Sequence, residues 1–452
     1  MLLKSIESAA MAIVVNVPRH LTLDDVDVSG RTVLVRCDLN VPVDKQTKQI
    51  KETFKIEAHR ETLDELAERG AKVVVISHQS RLGKTDCISL KPHAEVLSRI
   101  LEREVKFVDD IFGERAKSMI RSLQPGEMLV LENLRFHEEE NTEAEPHRQA
   151  KTRMVQELSS VCDIYVCDAF ACTHRAQPSM AGFPYVMPSV VARLMEKELR
   201  AVEQININPK PPAGFVLGGA KLEDAFMMIE HALKKQLADY IMITGVPAIA
   251  FLKAKGYDIG KPNEEFLAKN GYGEAYKEAA KLLKGNEDRI YLPVDLAIEK
   301  DGQRVEIDVD ELPINYPIKD IGSKTVEEFT RIIDTLKTVF CNGPSGVFED
   351  PKFEYGTKGL FIAIAKSPAY SIIGGGDSTA ALRKFSIEGF DHVSSGGGAL
   401  LHILAGKESA ALKEIMAQRV PIPEHMRAKK SAPVKNSKTT NQKTAKKVAV
   451  KY

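Results

Sequence analysis

Short apolar runs alternate with one-sided helical patterns through most of the chain, and that alternation leaves few folds open. A strand that feeds a helix and then another strand of the same sheet builds a parallel sheet covered on both faces. The apolar runs fall at 32–37, 72–76, 105–108, 128–131 and 161–166, then at 215–217, 240–243, 290–294, 338–341, 371–373 and 392–393. Helical spacing fills the gaps, as over 53–69, which Gly70 closes, over 92–102 and over 112–123. These patterns predict an α/β fold. At 452 residues the chain exceeds one ordinary core, so two domains with parallel sheets are expected. Residues 184–188 mark a boundary between domains at 21–185 and 205–400. A hinge helix over 186–204 joins them, followed by the proline-rich stop Asn206–Pro212.

The stretch from Phe215 to Asp224, Phe-Val-Leu-Gly-Gly-Ala-Lys-Leu-Glu-Asp, is a strand, a glycine turn and the mouth of a helix. Gly218 and Gly219 leave no side chain between a ligand and the backbone amides. A helix N-terminus adds partial positive charge, and Lys221 adds a full one. Two similar turns follow: Gly374-Gly-Gly-Asp-Ser-Thr379 and Ser394-Ser-Gly-Gly-Gly-Ala399. Ligands of open α/β sheets bind beyond the carboxyl ends of the strands, so three glycine turns at strand ends predict a phosphate site. Asp377 would repel a bare phosphate but suits a bridging Mg²⁺. Neither a Gly-x-x-x-x-Gly-Lys-Ser/Thr loop nor a Gly-x-Gly-x-x-Gly after the first strand is present, which argues against a Walker nucleotide site and a dinucleotide-binding oxidoreductase.

The strand ends of the first half offer Arg36, Asp38, Asn40, His78, Arg81, Arg135, His174 and Arg175. Arginines from separate strand ends form a basic pocket for a small polyanion. A nucleotide-like site in one half and an anionic-metabolite site in the other predict a small-molecule kinase whose domains close on two substrates.

Charge and cysteine usage bound the rest. Formal net charge is zero, but residues 425–452 hold nine Lys or Arg and no acid, which leaves 54 basic against 63 acidic residues elsewhere. A mildly acidic body does not bind nucleic acid in bulk, so only the basic tail is a candidate for that. The tail, poor in core-forming residues, is expected to be disordered. Six cysteines in a chain this long are not a disulfide scaffold; Cys162 and Cys167 sit in an apolar run and are read as small core residues. Residues 1–20 are read as an extension, too weakly basic for a signal peptide. No run of about 20 apolar residues exists, so a cytoplasmic protein without a membrane span is expected.

The motifs Val35-Arg-Cys-Asp-Leu-Asn-Val-Pro42, Ser77-His-Gln-Ser-Arg81, Leu131-Glu-Asn-Leu-Arg-Phe136, Asp168-Ala-Phe, Thr173-His-Arg175, Gly218-Gly-Ala-Lys221, Cys341-Asn-Gly-Pro-Ser-Gly-Val-Phe-Glu349, Ile373-Gly-Gly-Gly-Asp377 and Val393-Ser-Ser-Gly-Gly-Gly398 occur in this order. Through them the chain resembles phosphoglycerate kinase from about Leu21 to Glu414. Asp109-Asp-Ile-Phe-Gly113 and Ala254-Lys-Gly-Tyr-Asp-Ile-Gly260 look like its archaeal-type branch. The resemblance implies two Rossmann-like domains, a cytosolic monomer, and final helices (401–424) that return to the first domain. It implies reversible phosphoryl transfer between ATP and the carboxyl group of 3-phosphoglycerate. Asp38, Asn40, His78, Arg81, Arg135 and Arg175 would bind the phosphoglycerate, together with Lys55. Lys221, with Lys55, would serve the transferring phosphoryl group. Gly218, Gly219, Gly374, Gly375, Gly376, Asp377 and Ser378 would cradle nucleotide phosphates, Asp377 facing Mg²⁺, and Glu349 would contact the ribose.

Four positions depart from the pattern. Lys55 stands for an arginine, Ala225 for a second lysine, Thr244-Gly-Val-Pro247 for a more glycine-rich turn, and Cys341 for a tryptophan. These departures motivate one alternative, a ligand-binding but catalytically impaired paralogue with a partner-binding role.

Overall fold

The computed structural model describes residues 20–428. β1 (Thr32–Arg36), β2 (Lys72–Ile76), β3 (Val105–Phe107), β4 (Met128–Val130), β5 (Ile164–Cys167) and β6 (Ser189–Val191) form a parallel sheet in the order β3-β4-β2-β1-β5-β6. A second parallel sheet is built from β7 (Ala213–Leu217), β8 (Tyr240–Ile243) and β9 (Ile290–Tyr291). β10 (Asp295–Lys300), β11 (Gln303–Asp308) and β12 (Ile318–Ile321) form a separate antiparallel sheet. The chain then rejoins the second sheet with β13 (Thr338–Asn342), β14 (Tyr370–Gly374) and β15 (His392–Val393), giving the order β15-β14-β13-β7-β8-β9. The central strands are buried along nearly their whole length, as the continuous apolar runs require when helices cover both faces.

Strand order places the functional edge. In the first sheet the direction of winding reverses between β1 and β5; in the second it reverses between β7 and β13. Each reversal opens a crevice beyond the carboxyl ends of the two strands, where ligands of such sheets sit. The loops after β1 and β5 carry Asp38 and Asp168; those after β7 and β13 carry Gly218 and Gly343.

The helix expected over 186–204 begins instead at Arg193 and runs to Asn206. Ser189–Val191 before it is the edge strand β6, where Val190 and Val191 are fully buried. Three apolar or small residues cannot distinguish a short edge strand from a first helical turn. The single helix expected over 53–69 is two, Phe54–Glu57 and Arg60–Glu68, with buried His59 at the break. The run at 290–294 divides into the two-residue β9 and the loop that enters the antiparallel sheet.

Glu198, fully buried in the helix Arg193–Asn206, accepts hydrogen bonds from the Ser394 and Ser395 hydroxyls and the Ser395 amide, and pairs with His392. That helix thereby touches both sheets. The helix Ala410–Ala417 returns to the first sheet: Gln418 at its end donates to the Ser189 carbonyl at 3.1 Å. Arg427 pairs antiparallel with Val26, and Met426 is buried, so these first residues of the expected tail pack against the first half. The expectations for the N-terminal extension and the rest of the tail lie outside the described residues. Among the described residues no helix is long and apolar enough to cross a membrane. All six cysteines are free, and burial pushes the Cys167 thiol up to about 12, as suits an inert core residue.

Candidate active site

The loop after β1 turns inward. Asp38 is almost fully buried and accepts a hydrogen bond from Lys55 Nζ at 2.8 Å. Burial opposes its charge, but Lys55, His78 and Arg36 outweigh that and hold the carboxyl well below its ordinary range. The Asp38 amide donates to His59 Nε2 at 2.9 Å, and His59 Nδ1 meets the Asp168 carboxylate at 2.7 Å. Because Nε2 accepts, His59 carries its proton on Nδ1 and donates it to Asp168. Asp168 accepts in turn from the amides of Leu194 and Met195, the first turn of the helix Arg193–Asn206.

Arg36, expected in the anion pocket, is fully buried. Its guanidinium donates to Ser179 Oγ at 3.0 Å, to the Cys37 carbonyl and to His78 Nδ1 at 3.1 Å. A guanidinium only donates, so His78 accepts at Nδ1 and carries its proton on Nε2. Burial, and then Arg36, keep His78 well below the usual imidazole value. Arg36 therefore sets the state of His78 from behind rather than meeting a ligand. Arg135 is also buried, donates to the Glu140 carbonyl at 2.9 Å, and leaves its Nε without a partner. Arg81 lies exposed on its loop, and Arg175 is half-buried beside His174 at 3.2 Å.

The second half is built from backbone. Gly218 and Gly219 do not offer free amides: Gly218 donates to the Asn342 carbonyl at 2.8 Å and Gly219 to the Pro344 carbonyl at 2.7 Å. Their role is close approach, since a Cβ at Gly218 would lie 2.5 Å from Pro344 O and Thr244 Oγ1. The amides that face the cleft belong to the first turns of the helices Gly376–Phe385 and Gly397–Leu404. These two turns touch: a Cβ on Gly397 would fall 2.6 Å from Gly375 N. Ser378 is fully buried, and its Oγ accepts from the Gly343 amide at 2.8 Å, which ties the loop after β13 to the same helix. Gly374 ends β14 and is buried.

Two cavities open on this edge. One, of about 320 Å³, is mostly apolar and reaches from Gly219 and Val246 to Phe348, Glu349 and Asp377. The other, of about 720 Å³, lies between the two sheets; Asn40, Lys55, His174 and Arg175 face Gly375, Gly376, Gly397 and Gly398 across it. Asp38, His78, Arg81 and Arg135 do not line it. Lys221 precedes the helix Leu222–Lys235 as an exposed residue and lines neither cavity.

Residues 23–407 match the family described as phosphoglycerate kinase. The chain belongs to the phosphoglycerate kinase family. The phosphoglycerate kinase of Methanothermobacter thermautotrophicus is 44% identical over 401 residues, 88% of this chain and 97% of that one. That of Thermococcus kodakarensis is 42% identical over 397 residues, covering 87% and 96%. The crystal structure of phosphoglycerate kinase from Pyrococcus horikoshii superposes with a TM-score of 0.82 at 39% identity, covering 88% of this chain and 100% of that one. The archaeal-type resemblance agrees with these relatives.

Sequence patterns missed three contributors. His59 lies inside a helical pattern, Glu140 inside an acidic run, and the antiparallel sheet in the stretch after the apolar run at 290–294. The last had a signal: Asp301-Gly302 turns β10 into β11 with positive φ at both residues, 51° and 73°, the type I′ hairpin preference.

Proposed function

We propose that the protein transfers a phosphoryl group reversibly between ATP and the carboxyl group of 3-phosphoglycerate. One observation carries this: a side-chain anion pocket and a backbone anion cradle face each other across a single cavity of about 720 Å³. The carboxylate oxygen of the acceptor attacks the γ-phosphorus, a C(O)O–P bond forms, and the bond to the β-phosphate oxygen breaks. The acceptor is already ionised, so no general base is needed; the work is positioning and charge compensation along the in-line path. In this reading Asn40, His78 through Nε2–H, Arg81, Arg135 and Arg175 hold 3-phosphoglycerate, with Asp38 orienting Lys55. Lys55 and Lys221 neutralise charge on the transferring group. Gly374–Ser378 cradle the nucleotide phosphates, Gly218 and Gly219 let the nucleotide approach the backbone, and Glu349 meets the ribose.

Mg²⁺ fits the donor set. Asp377 is exposed in the first turn of its helix, and neither three-donor cluster among the described residues includes it. One carboxylate completed by substrate phosphates is the environment Mg²⁺ favours. When bound, it would offset phosphate charge. A cytoplasmic monomer is part of the same proposal. The test is ADP formation from Mg-ATP. It should depend on added 3-phosphoglycerate, and nucleotide binding without any ADP formation would overturn the assignment.

A further inference from the structure

The helix Gly376–Phe385 has an active first turn and a last turn that reaches across the cleft. Arg383 Nη2 lies 3.1 Å from the Glu52 carboxylate of the first half, and its guanidinium stands over the Phe54 ring at 5.8 Å. Glu52 and Phe54 lead directly into the short helix Phe54–Glu57 that carries Lys55. All four side chains line the same cavity. The neighbouring Lys384 points the other way. Its Nζ donates to the Phe348 carbonyl at 2.6 Å and pairs with Glu354 at 3.0 Å, which fixes the helix end to the loop of Glu349.

We propose that Arg383 is a positioning residue: a cross-cleft latch that sets the distance between Lys55 and the phosphate cradle. The helix is ten residues long, about 15 Å, and rigid. Its first turn forms part of the cradle, so a grip on its last turn transmits the cradle's position to Glu52 and Phe54. One guanidinium makes both contacts because it is planar and charged; a lysine would keep the ion pair and lose the stacking. The Arg383 and Glu52 side chains remain 45% and 35% exposed. Such a pair adds little to the stability of either half. Its leverage is on the relative placement of two halves, whose equilibrium small biases can shift.

This inference rests on the kinase reading, and the experiment separates the two. Wild-type turnover tests the reaction. Arg383→Glu, Glu52→Arg and the double reversal test the latch. Each single reversal should lower kcat about three- to tenfold, leave both KM values within twofold, and enlarge the radius of gyration of the ternary complex in solution scattering. The double reversal should recover at least half of wild-type kcat, and Arg383→Lys should fall between. Unchanged melting temperatures would show that the halves remain folded; if Arg383→Glu does not fold, Arg383→Gln takes its place. A wild-type kcat in the single variants, or a double reversal as slow as the singles combined, would sink the proposal. Should the wild type form no ADP, the reaction assignment fails, and the scattering of the liganded variants still decides the latch.

Discussion

On the β1–β5 side of the cleft, the site is built from polar side chains that are held by one another: Asp38 by Lys55, neutral His78 by Arg36, and Asp168 by His59 and two helix amides. On the β7–β13 side the cradle is almost bare of side chains, and its geometry comes from glycines packed against backbone. The first arrangement buries ionised groups, which costs desolvation energy and is tolerable only when every group has partners. The second needs no buried charge; helix N-termini supply the partial charge and absent Cβ atoms supply the space. The two regions should therefore fail differently. Damage to the first side shows as altered pH dependence and acceptor binding, and damage to the second as steric loss of the nucleotide.

The largest effect concerns Lys221, which lines neither cavity in this structure. In the proposed reading Lys221, exposed in this structure, meets the transferring group when the cleft closes, so Lys221→Ala should lower kcat by about 10²–10³-fold while affinities for both substrates change little. Steady-state kinetics with separate binding titrations would show it. Equal losses in binding and kcat would make Lys221 an ordinary ligand contact.

Gly397→Ala should come next and affect one side only. Its methyl group would meet Gly375 N at 2.6 Å and Gly375 Cα at 2.7 Å, both backbone atoms that cannot rotate away. The cradle must shift, and displacements near 1 Å cost up to about 10²-fold, so nucleotide affinity should fall roughly 10–100-fold. Calorimetry should find 3-phosphoglycerate binding intact. A parallel loss of both ligands would show that the cradle and the pocket are one unit.

Much of the fold is legible in the sequence. Alternating runs place most strands of both sheets, and the glycine turns fall at the carboxyl ends of strands of the second sheet. What remained hidden depended on distant partners. Nothing local distinguishes a buried arginine from an exposed one, so the pattern groups Arg36 with the ligand contacts, whereas in the fold His78, Ser179 and the Cys37 carbonyl enclose it. Gly218 and Gly219 do not offer the free amides their sequence suggests, because those amides are taken by carbonyls more than a hundred residues away. The latch is illegible for the same cause: Glu52 and Arg383 meet only once both halves are folded.

A smaller effect separates charge from packing on the first side. The Asp38 carboxyl titrates below its unfolded value of about 3.9. It therefore stabilises the folded state above that pH, and the contribution is lost as pH falls from there toward the depressed folded value. Asp38→Asn removes this dependence and leaves Lys55 without its counter-charge. The variant should lose roughly 1–3 kcal/mol of stability at pH 7, and its stability should fall less steeply between about pH 4 and pH 2. Denaturant melts across that range give both values. A slope identical to wild type would mean that Asp38 does not carry the acid sensitivity.

The smallest expected effect concerns Lys55 itself. Its ammonium is one-third exposed and pairs with Asp38, a point charge on a flexible stem. An arginine in its place would offer a planar fork able to hold Asp38 and a phosphoryl oxygen together. The fork is longer, and space exists because Lys55 lines the 720 Å³ cavity. Arg383 already holds the start of the same helix through Glu52 and Phe54. Lys55→Arg should therefore leave stability unchanged and raise kcat about two- to threefold, with KM for 3-phosphoglycerate equal or lower. Combining it with Arg383→Glu should erase the gain, because a better donor on a displaced helix reaches the wrong place. A gain that survives the combination would show that Lys55 is positioned by Asp38 alone, and that the two sides of the cleft are less dependent on each other than their shared helix contacts imply.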